Sequence, residues 1–440
     1  MNAMKMIPCP RALGALLLAV SCNVAVAGPV IEHWVAPSGA RVYFVENHAL
    51  PMLDLRVDFP AGSASDPAGK PGLASLTHVL LDLGAEGMDE NAIANRLADL
   101  GAQVSGGVDR DRASVSLRTL SARETRDAAL DVFRTMLCAP VFPADVFERE
   151  KARNVAALKE SLTRPDTIVS RAFWAALYPD HAYGRSATPA SIEAISRDEL
   201  ERFYREHYGA GGASLTIVGD IGRNEAEALA QKLTEKLPVA AGASPSGVAP
   251  GLPAGGEQRI AHPAAQAHVL IGLPALKRGD PDFFALQVGN YTLGGGGFVS
   301  RLMREVRDKR GFAYSVYSGF VPLMQPGPFL IGLQTRKEQA DEALRVTRET
   351  LARFLAEGPA EAELQAAKQY LSGSFPLRLD SNGELVDNVA AIGFYGLPLD
   401  YLDTYMDKVE EVTATEVRAA FARRIRRENL VTVVVGGTDR

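Results

Sequence analysis

The sequence predicts an α+β protein of two homologous domains, each a mostly antiparallel sheet with helices packed on one face. Three observations lead there. Strand patterns such as 113–117 and 314–320 alternate with helical ones such as 89–100 and 361–372, without the regular βαβ succession of a doubly wound parallel sheet. Residues 237–256, rich in Pro, Gly, Ala and Ser and almost free of charge, read as a linker between two parts of similar length. The two parts carry the same local patterns in the same order.

At the N-terminus, Lys5 and Arg11 accompany an apolar run, 12–20, that is too short to span a membrane. Ala25-Val26-Ala27 then offers a small-residue cleavage site, so 1–27 is expected to be an export signal peptide and the protein periplasmic or secreted. The run Ala19-Val20-Ser21-Cys22 leaves lipid anchoring at Cys22 as the alternative. Removal of 1–27 takes away two of the 47 basic residues and leaves 45 against 53 acidic ones, a net charge of −8. That balance argues against nucleic acid and anionic membrane surfaces as partners. Cys138 is then the one cysteine left, so no disulfide staples the chain and stability rests on a core drawn from 47% hydrophobic residues.

The repeat defines the domains as 28–236 and 257–440. Leu117-Arg118-Thr119 leads into Ala129-Leu130-Asp131-Val132-Phe133-Arg134-Thr135-Met136-Leu137, and Leu333-Gln334-Thr335 leads into Ala343-Leu344-Arg345-Val346-Thr347-Arg348-Glu349-Thr350-Leu351. Both helices read A-L-x-V-x-R-x-x-L, a spacing that buries one face. Ser196-x-x-Glu199 and Thr413-x-x-Glu416 are capping boxes that open helices carrying Phe203 and Phe421. A β-rich segment follows each, 215–219 and 430–436.

Residues 71–81 read Pro-Gly-Leu-Ala-Ser-Leu-Thr-His-Val-Leu-Leu, after strands at 41–46 and 52–59 and an Ala-Gly-Ser turn at 61–63. The segment resembles the G-L-A-H-x-x-E-H helix of the pitrilysin/insulinase-type (inverzincin) zinc peptidases, which supplies two zinc-binding His and a catalytic Glu. Ser75, His78 and Val79 stand where the first His, the Glu and the second His are expected, and the family's third ligand would fall near the apolar 156–158. Zinc takes about four donors; Val offers none and a Ser hydroxyl is a poor one. The motif is therefore degenerate, and neither a metal, another cofactor nor independent peptidase activity is expected in this chain. His78 on an apolar helical face reads first as a packed residue, and His262 and His268 have no acidic or cysteine neighbours at ligand spacing.

In the second part, Arg307 and Tyr314 resemble the family's R-x6-Y element, in which an Arg and a Tyr reach into an active site held by an N-terminal domain. The Arg fork would pin a substrate carbonyl or carboxylate, and the Tyr hydroxyl would donate to an oxyanion. Without the resemblance they read as a surface Arg and a strand Tyr. Gly294, Gly295, Gly296, Gly297 and Phe298 belong to a run similar to the family's L-G-G-G-x-F-x-S-R-L segment; no phosphate-binding pattern accompanies the glycines. In the zinc-less subunit of the mitochondrial processing peptidase a comparable loop helps to receive substrate. The alternative is a turn that needs glycine for its backbone alone.

The resemblance runs from Val30 to Val435. It implies a clam-like half chamber and a non-catalytic subunit that pairs with an H-x-x-E-H-bearing paralogue. The paralogue would hold the zinc, and the pair would enclose extended peptide substrates. A stand-alone periplasmic peptide-binding or scaffold protein is a rival of a different class, and an enzyme with an unorthodox metal site on His78 is a third reading.

Overall fold

The computed structural model describes residues 28–240 and 249–436. The predicted export segment, with Cys22, and residues 241–248 of the predicted linker lie outside them. Among the described residues no helix is long and apolar enough to cross a membrane.

The first half contains strands β1 (Glu32–Val35), β2 (Arg41–Glu46) and β3 (Met52–Phe59), then α1 (Leu73–Val79) and a small hairpin, β4 (Gly84–Ala85) and β5 (Met88–Asp89). After α2 (Glu90–Asp99) come β6 (Gln103–Val108), β7 (Ala113–Leu120), α3 (Arg123–Cys138), α4 (Ala144–Ser161) and α5 (Pro165–Leu177). The half closes with α6 (Pro189–Glu193), α7 (Arg197–His207), β8 (Ser214–Gly219) and α8 (Arg223–Thr234). The second half runs β9 (Gly256–Ile260), β10 (Gln266–Leu276), α9 (Phe283–Asn290), β11 (Ala313–Phe320), β12 (Gly327–Arg336) and α10 (Ala340–Glu357). It ends with α11 (Glu361–Ser374), α12 (Asn382–Tyr395), α13 (Tyr405–Glu411), α14 (Ala414–Arg424) and β13 (Val431–Val435).

The two sheets have one topology. The first is ordered β1-β2-β8-β3-β7-β6 and the second, from its far edge, β9-β13-β10-β12-β11. In each, one pair is parallel, β2 with β8 and β9 with β13, and the other pairings are antiparallel. From α3 onward the elements recur at a constant spacing: α3, α4, α5, α7 and β8 begin at 123, 144, 165, 197 and 214, their counterparts at 340, 361, 382, 414 and 431, each 217 residues later. The capping boxes predicted at Ser196 and Thr413 are formed, with the Glu199 and Glu416 amides bonded to the hydroxyls at 3.3 and 3.2 Å.

Strand alternation explains how the sheets are covered. Val42 and Phe44 of β2 enter a core shared with the first half's own helices, whereas Tyr43 and Val45 face the other way. That second face is closed by α12 from the second half, through Leu385, Val386 and Val389. Reciprocally, α5 of the first half lays Val169, Phe173 and Leu177 against Val431, Val433 and Val435 of β13. Each half thus keeps its own helices on one face, as expected, and receives one helix from its counterpart on the other. Burying a side chain of this size contributes about 1.5–3 kcal/mol relative to leaving it exposed.

The flanks of the linker are tied to the domains. Leu237 is buried, the Ala210 and Gly211 amides donate to the carbonyls of Pro238 and Ala240, and Asn429 donates to the Pro253 carbonyl at 2.6 Å.

A degenerate metal pocket and an exposed Arg–aromatic cluster

Helix α1 is only seven residues long and is positioned from its start. Gly72 adopts φ 107°, which side-chain-bearing residues rarely do, and the buried Asp66 carboxylate accepts from the Gly72 and Ala74 amides, both at 2.7 Å. Burial pushes the Asp66 carboxyl up to about 6, against the effect of those two donors. Leu73, Ala74, Leu76 and Thr77 enter the core, which leaves Ser75 exposed and His78 and Val79 half-buried.

His78 and Val79 line a cavity of about 630 Å³, together with Asp82, Gly106 and, from α4, Arg149 and Glu150. Its described lining comes from the first half alone. The His78 ring lies against Gly106, where an added Cβ would fall 2.9 Å from Cε1. His78 Nδ1 is buried without a hydrogen-bond partner among the described residues, and burial pulls the ring's pKa down, so the imidazole is neutral at physiological pH. Two of the nearby carboxylates are taken by arginine: Arg149 spans both oxygens of Glu90 at 3.1 and 2.5 Å and donates from Nε to Glu150 at 3.1 Å.

These residues do not fit a zinc ion. Val79 has no donor, Ser75 does not line the cavity, and Ala156 and Ala157 are exposed on α4. Among the described residues no group of three or more His, Cys, Asp or Glu is arranged to hold a metal. The acidic residue of α4 that does face the cavity, Glu150, was not singled out from the sequence. Its signal was a charge on the face of α4 that buries Val146, Phe147 and Val155, where an apolar residue is normal.

The second cluster forms where α9 ends. The chain continues as a π-helical turn at Tyr291–Gly295, reverses at Gly297 with φ 59°, and returns through a π-helical segment at Met303–Asp308 that carries Arg307. Packing accounts for the glycines. A Cβ at Gly294 would fall 2.5 Å from the Ser318 amide, and one at Gly296 would fall 2.7 Å from the Tyr291 carbonyl. One at Gly295 would meet the Asn290 amide group at 2.6 Å. Past the turn, Phe298 is 71% exposed and Val299 67%.

Tyr314 is the extra residue of a β-bulge in β11, between Ala313 and Ser315, and is 86% exposed. The structure brings three residues singled out from the sequence together: the Arg307 guanidinium lies 4.7 Å from the Phe298 ring centroid and 5.5 Å from that of Tyr314. None of the three lines the His78 cavity.

Comparison with known proteins agrees with this architecture. Residues 41–190 match the family model described as insulinase (peptidase family M16), and residues 194–371 match the peptidase M16 inactive domain. A crystal structure of a peptidase M16 inactive domain from Pseudomonas fluorescens superposes with a TM-score of 0.89 at 38% identity, covering 93% of this chain and 98% of that one. The non-peptidase homolog YmxG of Helicobacter pylori is 25% identical over 86% of this chain and 87% of its own length. An uncharacterized zinc protease of Streptomyces coelicolor is 28% identical over 66% of this chain and 65% of its own length. With two such domains in tandem and no group of metal ligands among the described residues, the chain belongs to the insulinase (M16) peptidase family as an inactive member.

Proposed function

We propose that this protein is the non-catalytic subunit of an exported two-chain M16 peptidase: it binds extended peptides and lends Arg307 and Tyr314 to a zinc centre held by an H-x-x-E-H-bearing partner. The observation that carries the reading is the pair itself. A phenol that is 86% exposed and the half-buried guanidinium beside it, the donors that acyl-transfer chemistry uses on a carbonyl and its oxyanion, lie outside their own chain's degenerate pocket. A side chain as exposed as Tyr314 contributes little to its own fold.

The test is the turnover of the pair reconstituted from the native host's proteins. Losing one oxyanion donor costs on the order of 10²–10³ in kcat, so Tyr314→Phe, and separately Arg307→Ala, should lower kcat while the pair still assembles by size-exclusion chromatography. Wild-type turnover in both mutant pairs overturns the reading. Failure to copurify any zinc-bearing paralogue favours the second reading, a peptide-binding protein that hydrolyses nothing. One feature supports that alternative: β6 is a largely exposed edge strand with Gly106 and Gly107 at its middle, open to strand addition by an extended peptide.

A further inference from the structure

Segment 301–310 carries five cations, and four are spoken for. Arg301 and Arg304 share Glu363, at 2.5 and 3.3 Å, and Lys309 and Arg310 share Glu305, at 2.8 and 3.0 Å. Arg307 alone of the five forms no ion pair among the described residues, although Asp308 follows it directly. Its guanidinium is held by the rings of Phe298 and Tyr314 instead. Both rings lie largely in water, where aromatic side chains of this size are usually covered.

The arrangement has the parts of a receptor. Stacking on two rings fixes the guanidinium, so an incoming anion need not immobilise a free arginine. The fork of N–H donors matches the two oxygens of a carboxylate. The exposed ring surfaces offer cover to an apolar side chain next to that carboxylate.

We propose that Arg307, Phe298 and Tyr314 select peptides that carry a carboxylate beside an apolar or aromatic residue. The inference rests on the peptide-binding part of the proposed function and adds the substrate class. The carboxylate is either an acidic side chain or the free C-terminus; the chemistry at Arg307 is the same.

The experiment uses the mature full-length chain without a partner, so its outcome is independent of the turnover test. Four synthetic probes are titrated by calorimetry: acetyl-Ala-Ala-Phe-Glu-Ala-Ala-amide, the same peptide with Gln for Glu, acetyl-Ala-Ala-Ala-Phe as the free acid, and that peptide as its amide. At low ionic strength the Glu peptide or the free acid should bind at least tenfold more tightly than its neutral match, and Arg307→Gln should abolish the difference. Which of the two pairs discriminates identifies the source of the carboxylate. Phe298→Ala, at an exposed position, should weaken the charged and neutral peptides alike. Equal binding within both pairs, discrimination that survives Arg307→Gln, or no binding of any probe at millimolar concentration overturns the proposal.

Discussion

Replacing Asp111 should loosen the contact between the two halves. Asp111 lies at the tip of the β6–β7 hairpin, where 109–112 read Asp-Arg-Asp-Arg, and it is completely buried. Its carboxylate accepts from the Tyr183 hydroxyl of the first half, and from the Met324 amide at 2.8 Å and the Tyr395 hydroxyl at 3.1 Å, both of the second. The Tyr183 hydroxyl in turn accepts from the Gln325 amide at 3.1 Å. Neighbouring charges hold the tip in place: Arg110 stacks on Trp174, and Arg112 donates to Asp109 at 3.2 Å with Asp58 3.5 Å away. One carboxylate therefore ties the hairpin to a loop and a helix end of the other half.

Hydrogen bonds to a charged group contribute about 1.5–3 kcal/mol each, and three converge here. Part of that is offset, because burial outweighs the donors and pushes the Asp111 carboxyl above its usual range. A net loss of about 3–5 kcal/mol is expected for Asp111→Ala, the range for breaking a buried charged network. Asp111→Asn keeps the shape and one acceptor and escapes the burial of charge, so about half that loss is expected. Urea unfolding of the mature chain measures both. Hydrogen exchange at the Met324 and Gln325 amides localises the effect, since both should exchange faster in the Ala variant. An Ala variant within about 1 kcal/mol of wild type, with those two amides unchanged, would refute the assignment of Asp111 as an interdomain tie.

Asp66 should make stability depend on pH. Its folded pKa of about 6 lies above the ordinary aspartate value of 3.8, so its contribution is full below about pH 4 and is lost as pH rises through 6. At 1.36 kcal/mol per unit that is roughly 3 kcal/mol, read as the difference between wild type and Asp66→Asn at pH 4 and at pH 8; no change between the two pH values would count against it. A protease site engineered between Ala240 and Pro250 should cut the chain into fragments that still elute together, because α5 and α12 are exchanged between the halves. Fragments that separate without denaturant would sink that argument. The purified mature chain should carry substoichiometric zinc and show no peptidase activity alone, and one tightly bound equivalent that a chelator removes together with activity would overturn the account of Ser75 and Val79.

What a single sequence shows is which faces are buried, and that was enough for much of the fold. The A-L-x-V-x-R-x-x-L helices, the two capping boxes and the strands at 41–46 and 52–59 are local signals, and each element formed where its pattern lay. That Val79 has no donor atom and Ser75 only a poor one for zinc is equally local. The exchange of α5 and α12 was not legible, for a definite reason. The apolar spacing of Val169, Phe173 and Leu177 says that one side of α5 is covered, and the cover lies more than 250 positions away, on β13. The hairpin tip at Asp111 shows the opposite limit: four alternating charges give no local sign of burial, yet the tip is inserted between the halves. Arg307 completes the contrast. Its sequence neighbours Arg304, Lys309 and Arg310 look equally free, and only the folded positions of Glu363 and Glu305 show that those three are neutralised while Arg307 is not. What sets Arg307 apart thus lies in which charge the fold leaves unpaired, a property of the tertiary arrangement that no residue count along the chain can supply.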